Sequence, residues 1–386
     1  MKRKLYAVLV MIGFAGFLIA GNFNPEADKA IYKATIKHVD EGGNYLMFQN
    51  QTALKSNIES IFNFVSGNFP GDAEKMKNVV GFILDVINLE AFVATAESSR
   101  AESADILCYK SFLYTKETPV EGFFFDLFVK ENKPFSKLNS LPLSTRLALN
   151  MHLAPYAAWN RLLAFAEKSE QEDIINALQS FQASFEEESE CSFAELMQSI
   201  EGEVVLIVTA EKSEEGMIVP RVYLEFPDKN GILFGLLKTS LADSFELVDD
   251  ARLVPQMPFA PEISFINGKV LAVLDPAIFV EMEEAAKTGG LAKSAEFAPY
   301  FEGQHSSGIS FFVLNTDREF LTDLLNQLNP ELLPVLEMIT APKIVMSSNI
   351  LPDGYACFGK VNFNMSNIVS LMPILYGLML PALGGF

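Results

Sequence analysis

An α+β architecture is what the sequence predicts: strand-helix-helix-strand-strand units forming antiparallel or mixed sheets with helices packed on a face. Three observations lead to it. The same order of apolar periodicities, alternating for strands and 3.6-residue for helices, recurs at three places along the chain. A tight-hairpin signal, Asn267-Gly268 between two apolar runs, favours antiparallel pairing. Apolar residues make up 49% of the chain and mean hydropathy is +0.21, enough for a large core and too much for a disordered chain.

The first unit opens with a strand at Tyr45–Phe48. Thr52 stands at the start of a helix whose apolar positions Leu54, Ile58, Ile61, Phe62 and Val65 share one side. Met76, Val79, Val80, Ile83, Leu84 and Ile87 mark a second helix, and strands follow at Leu89–Ala96 and Ile106–Tyr114. The second unit opens at Arg146–Met151. Pro155 suits the first turn of a helix, where its missing N–H would have no partner anyway. Trp159, Leu162, Leu163 and Ala166 form that helix's stripe, and an added helix carries Ile174, Leu178, Phe181 and Phe185 in phase. Ser192 and Glu195 spell a capping box ahead of a third helix. Strands at Glu203–Thr209 and Ile218–Phe226 close the unit.

A different block follows. Ile263–Ile266 and Lys269–Leu274 form the hairpin, then Asp275 caps a helix that starts at Pro276 and ends before Gly289. The third unit opens at Gly308–Val313, with Thr316 and Glu319 as a second capping box and Phe320, Leu321, Leu324, Leu325 and Leu328 as a stripe. A short helix over Glu331–Ile339 precedes strands at Lys343–Ser348 and Tyr355–Asn362. The expected organisation is therefore residues 1–20 as a signal peptide or N-terminal anchor, 21–140 and 141–260 as the first two units, and 261–386 as the hairpin-helix block, the third unit and an apolar tail.

Two segments point across a membrane. Lys2-Arg3-Lys4 precedes an uncharged run, Leu5–Ala20, and Ile19-Ala20-Gly21 offers small residues for a signal peptidase. This pattern predicts export, with the segment cleaved as a signal or kept as an anchor. After Lys360 no charge appears, and Ile368–Leu383 is apolar but broken by Pro373 and Pro381. That tail reads as a buried helix, an interfacial or membrane-inserted segment, or a docking segment. Membrane contact is thus expected, if anywhere, through Leu5–Ala20 or Ile368–Leu383.

The formal charge is −20, and removing the first 20 residues deletes three positive charges and no acid. Such a surface repels phosphate backbones, so no nucleic-acid partner is expected. The 33 phenylalanines argue for a large aromatic core or for an apolar cavity or groove. Cys108, Cys191 and Cys357 are too few for a disulfide scaffold. Cys108 and Cys357 fall in matching closing strands, so they could bridge if those strands are neighbours; buried free thiols are the alternative.

The run Ser140-Leu141-Pro142-Leu143-Ser144-Thr145 leads into a strand and an Ala-Trp helix. Glu201-Gly202-Glu203-Val204-Val205 enters another strand, and Gly268–Val273 leads to the Asp275-Pro276 helix and then Gly289-Gly290-Leu291-Ala292. Over residues 140–340 these patterns resemble an uncharacterised family of exported bacterial proteins, a domain of unknown function. The resemblance implies export and architecture and brings no catalytic signature.

A search for chemistry names no catalytic, cofactor-binding or metal-binding residue. His38, His152 and His305 are scattered, with no zinc spacing around them. Gly303-Gln304-His305-Ser306-Ser307-Gly308 puts His beside Ser without a third, orienting group. Gly354–Lys360 has phosphate-loop spacing, but Val361 replaces the required hydroxyl and the segment reads as a strand. Asp228-Lys229-Asn230-Gly231 lacks the later ligands of a calcium loop and reads as a turn. Carboxylates such as Asp249-Asp250, Glu281, Glu283 and Glu284 are abundant in an acidic chain and single out nothing. The expectation is an exported, non-enzymatic envelope protein that binds a protein partner or an apolar ligand. The alternatives are an envelope-polymer hydrolase using scattered carboxylates and a membrane-tethered structural protein.

Overall fold

In the computed structural model the described residues are 27–66, 73–168, 172–213, 216–257, 260–328, 330, 333 and 341–363. The strands, in chain order, are β1 (Tyr45–Asn50), β2 (Phe92–Ala101), β3 (Leu107–Thr115), β4 (Lys133–Pro134), β5 (Thr145–Leu153), β6 (Gly202–Lys212), β7 (Ile218–Pro227), β8 (Phe245–Val248), β9 (Arg252–Pro255), β10 (Glu262–Ile266), β11 (Lys269–Val273), β12 (Ser307–Gly308), β13 (Ser310–Asn315), β14 (Lys343–Leu351) and β15 (Gly354–Val361). The helices are α1 (Ala27–Ile36), α2 (Leu54–Ser66), α3 (Ala73–Ile87), α4 (Phe123–Asp126), α5 (Pro155–Lys168), α6 (Glu172–Ser189), α7 (Phe193–Ser199), α8 (Ile232–Ser240), α9 (Ala277–Thr288), α10 (Gly290–Lys293), α11 (Ala298–Phe301) and α12 (Arg318–Leu328). The expected helix over Glu331–Ile339, apart from Leu333, and the segments Leu5–Ala20 and Ile368–Leu383 lie outside the described residues.

Thirteen strands form one sheet in the order β1-β2-β3-β15-β14-β13-β5-β6-β7-β11-β10-β9-β8. Every pairing in it is antiparallel. The architecture is therefore α+β, and of the two sheet types expected it is the antiparallel one. Each unit enters the sheet as a meander. The first and third meet through their closing strands, β3 and β15, and the third and second through their opening strands, β13 and β5.

That arrangement makes Cys108 and Cys357 neighbours by strand but not by position. Cys357 lies opposite Ser111, and Cys108 lies opposite Lys360. An offset of three residues is about 10 Å along the strand and, being odd, sends the two side chains to opposite faces. All three cysteines are free thiols.

Antiparallel partners share a face, so the registers sort the sheet residues into two sets. One face, here the front, carries the row Ser98, Lys110, Phe358, Ser347, Phe311, Asn150, Val205, Glu225 and Leu271. The back carries the residues between them. Helices pack on both faces rather than one. The run Val204-Val205-Leu206-Ile207-Val208 in β6 has no polar alternation, as expected where both sides are covered. On the front, α9, α10 and α11 bury Ile278, Met282, Leu291, Phe297 and Tyr300 against Val205, Ile207, Tyr223, Phe311 and Val345. At the other end of the front, α1 brings Ile36 onto Ala96 and Phe112. On the back, Phe234 of α8 packs on Ile263 and Val270. Next to α8 lie α7, α6 and α5, and α5 in turn lies against α3. A cluster of Ile58, Val80, Leu84 and Leu89 holds α2 and α3 together and meets the sheet at Phe92.

Two local expectations change in detail. Phe320 N–H is capped at 2.7 Å by Asp317, not by Thr316, whose hydroxyl donates instead to Pro342 O at 2.8 Å. Phe181, counted in the apolar stripe of α6, is 55% exposed, and α6 buries none of its residues. The Ser192 cap holds, accepting from Glu195 N–H at 3.4 Å. So does the Asn267-Gly268 turn, with both φ angles positive (52° and 73°).

Candidate functional site

The two faces are finished differently. Across the front runs a segment without long regular elements, residues 127–141. It is pinned by Val129 N–H to His152 O (3.2 Å), by Phe135 N–H to Ser306 O (3.1 Å) and by Leu291 N–H to Leu141 O (2.9 Å). Phe135 stacks on His152 and meets the Phe311 ring at a tilt. Gly308 and Gly290 permit this closeness: a Cβ on Gly308 would sit 2.4 Å from Ser348 O, and one on Gly290 2.2 Å from Leu141 O. The front is thereby sealed, although it is rich in polar groups. Glu225, 2% exposed, accepts from Tyr223 and from Lys269. Burial pushes its carboxyl up, but Lys269, the Tyr223 hydroxyl and Lys137 outweigh that and hold it below the usual carboxylate range. Asn150 donates to Glu203 at 2.8 Å, Lys360 to Glu102 at 2.8 Å and Lys110 to Asp40 at 2.9 Å.

The back has the inverse character. Two neighbouring rows of apolar side chains cross its five central strands. One runs Met346, Phe312, Leu149, Leu206, Leu224, and the other Ile344, Leu314, Leu147, Val208, Val222. All but Ile344 are only half-buried. Four inter-strand steps make this grid about 19 Å long and two residues of one strand make it about 7 Å wide. Beside the first row lies a polar row: Glu97, Ser111, Cys357, Ser348 and Ser310. Burial raises both the Glu97 carboxyl and the Cys357 thiol. Burial thus favours the thiol of Cys357 over the thiolate, the reactive form.

The back helices leave a cleft of about 510 Å³ between the first and second units. Phe82, Leu84, Leu89, Ala164 and Phe165 supply its apolar lining, and Lys55, Arg161 and Lys168 stand among Asp85, Glu90, Glu117 and Glu121. Lys55 holds Asp85 at 2.7 Å and Glu90 at 2.8 Å. Arg161 holds Asp126 at 2.8 Å and Glu121 at 3.0 Å. The volume is that of a small-molecule site, and the walls combine an apolar lining with a charged rim.

The residues weighed for chemistry in the sequence do not converge here. His38 bonds Asp353 at 3.0 Å and lies at a tilt against the Phe112 ring, His152 is buried on the front, and His305 is exposed. The Gly303–Gly308 run is a clamp for the front segment: Asn349 donates to Ser307 O at 2.6 Å and Gln304 to Val345 O at 2.8 Å. Gly354–Lys360 is β15. Asp228 caps α8 through Leu233 and Phe234 N–H and accepts from Ser199 at 2.7 Å. Asp249 and Asp250 hold left-handed turn conformations. Glu281 is tied to Arg221 and Ser144. Among the described residues no group of three or more His, Cys, Asp or Glu is placed to hold a metal ion. Nor is any described helix long and apolar enough to cross a membrane.

The apolar grid was not found from the sequence. Its signal, consecutive apolar residues in β5, β6 and β13, is the same that marks a buried core strand. Comparison with known proteins adds little to the geometry. No protein-family model matches the chain, and no curated protein matches it. A solved structure, crystal form I of TP0453, aligns at 12% identity over 55% of this chain and 73% of that one, with a TM-score of 0.25. A likeness that distant carries no argument about this chain.

Proposed function

We propose that this chain is an exported, non-enzymatic binding protein of the cell envelope that takes an apolar or amphiphilic ligand against the back of its sheet. One observation carries the reading: ten apolar side chains form a grid on a half-open face, while the central strands of the sealed face bury Glu225, held by Lys269 and Tyr223. Apolar side chains left partly open to water gain stability when a ligand completes their burial. The cleft between α2, α3 and α5 opens on the same side and offers charged groups at its rim for a polar end. Export rests on Lys2–Lys4 and Leu5–Ala20, and the resemblance over residues 140–340 supports it. The similar order of elements in the three segments further supports reading them as copies of one unit.

The test is direct. The full chain, purified without detergent, is examined by native mass spectrometry and by solvent extraction, then titrated with cis-parinaric acid. A bound apolar molecule, or saturable uptake of the probe that Phe312→Lys weakens about tenfold or more, is the expected result. A chain that carries nothing and does not bind the probe overturns the ligand reading. A tagged chain that remains in the cytosol with residues 1–20 intact overturns export.

A further inference from the structure

A single open sheet has two edges, and here they differ in kind. β8 is four residues long and carries Glu246, and Asp249, Asp250 and Arg252 follow at its turn. Short length and charge are the ordinary means by which an edge is kept from pairing with another chain. β1 has neither. It is six residues long, Tyr-Leu-Met-Phe-Gln-Asn, with no charge, proline or bulge. Tyr45 and Leu46 are 36% and 37% exposed. β1 pairs with β2 on one side, and among the described residues no backbone group bonds to its other side. Every second N–H and C=O of β1 thus faces outward without a backbone partner among the described residues.

We infer that the β1 edge pairs with β1 of a second copy of this chain, the two strands running antiparallel about a two-fold axis and joining two sheets into one. Three points select a second copy over an unrelated partner. An antiparallel pair of identical edges is complementary by construction, each residue giving its partner the bonds it receives. A chain with a formal charge of −20 resists its own kind almost everywhere, and an uncharged strand is where two copies approach with least repulsion. The alternating side chains, Leu46 and Phe48 on the front and Tyr45 and Met47 on the back, give each copy apolar contacts on both faces. The contact is about 20 Å long, and its area falls below the roughly 1,000 Å² of a stable interface. The association is therefore weak and concentration-dependent.

Sedimentation velocity on the full chain from about 1 to 300 µM, with hydrogen exchange at both ends of that range, tests this. The expected result is a dimer whose fraction rises with concentration, and slower exchange in β1 amides as it forms. Leu46→Lys, at an exposed edge position, weakens the dimer about tenfold or more while leaving far-UV circular dichroism unchanged. Val280→Lys, on the outer side of α9, leaves it intact. A monomer at every concentration overturns the inference. So does a dimer that survives Leu46→Lys, one that Val280→Lys abolishes, or one that leaves β1 amides unprotected.

Discussion

The front and back of the sheet share every strand, yet they have opposite finishes. The front buries its side chains under α9–α11 and residues 127–141, and it buries charges among them, with Glu225 at 2% exposure. The back carries Met346, Phe312, Leu149, Leu206 and Leu224, none fully buried, and one of the helices at its side, α6, has no buried residue. If apolar burial alone decided the layers, the apolar grid would lie on the sealed side. The difference separates two kinds of packing: the front is closed over its side chains, and the central strands of the back leave theirs half-buried.

Core truncation breaks or sharpens that contrast most. Phe297, 1% exposed and stacked 5.0 Å from Tyr300, fills the front core. Phe297→Ala is expected to cost about 3–5 kcal/mol in urea unfolding. Phe312→Ala on the back removes the same atoms from a half-buried site and is expected to cost about 1–2 kcal/mol. Equal losses at the two positions would mean that the back is also a structural core.

Removing a buried charge comes next. Glu225→Ala strips Lys269 and the Tyr223 hydroxyl of their acceptor and is expected to cost about 3 kcal/mol. Ser348→Ala in the back polar row is expected to cost about 0.5 kcal/mol or less, because that site is half-open to water. Urea midpoints at constant m-value compare the two.

Acid should attack the front first. Burial, the leading cause, lowers the His152 pKa, with Lys133 adding to it and Glu203 opposing. The unfolded histidine titrates near 6.5, so between that pH and the lower folded value the unfolded state binds more protons. Stability is then full above about pH 6.5 and falls as pH drops below it. Glu225 behaves as a depressed carboxylate: its contribution is full above the unfolded value near 4.3 and is lost as pH falls through the folded one. Melting temperatures measured from pH 8 to 4 should show the first decline in the native chain and not in His152→Gln.

The contrast between faces also marks what the sequence could reveal. Segments with their own local signal were legible: β6, β7, α5 and the β10–β11 hairpin fall where apolar runs, Pro155 and Asn267-Gly268 place them. The segment 127–141 was not, because its course is set by partners far away in sequence, Ser306, His152 and Leu291. The β8–β9 hairpin and α8 were missed as well. Four-residue strands carry almost no period, and Asp249-Asp250 looks like two more acids until its positive φ angles are seen. The neighbouring of β3 and β15 was foreseeable as a possibility, but the three-residue offset that keeps Cys108 from Cys357 depends on a non-local register. The candidate site follows the same rule. Phenylalanine content hinted at apolar surface, and only the stacking of units could say which face stays half-open.

The smallest effect is expected where the back layer is loosest. Phe181 touches Trp159 at a ring separation of 6.0 Å and Phe193 at 5.6 Å, but it is 55% exposed. A buried phenylalanine on a helix stripe would lose several kcal/mol on truncation, whereas Phe181→Ala should lose about 1 kcal/mol or less, most of it from the two ring contacts. Trp159 is the sole tryptophan, so its emission reads this corner alone. A small stability change with a red shift at Trp159 would show that α6 leans on the fold without closing it. A loss as large as that of Phe297→Ala would mean that α5, α6 and α7 are packed as tightly as the front.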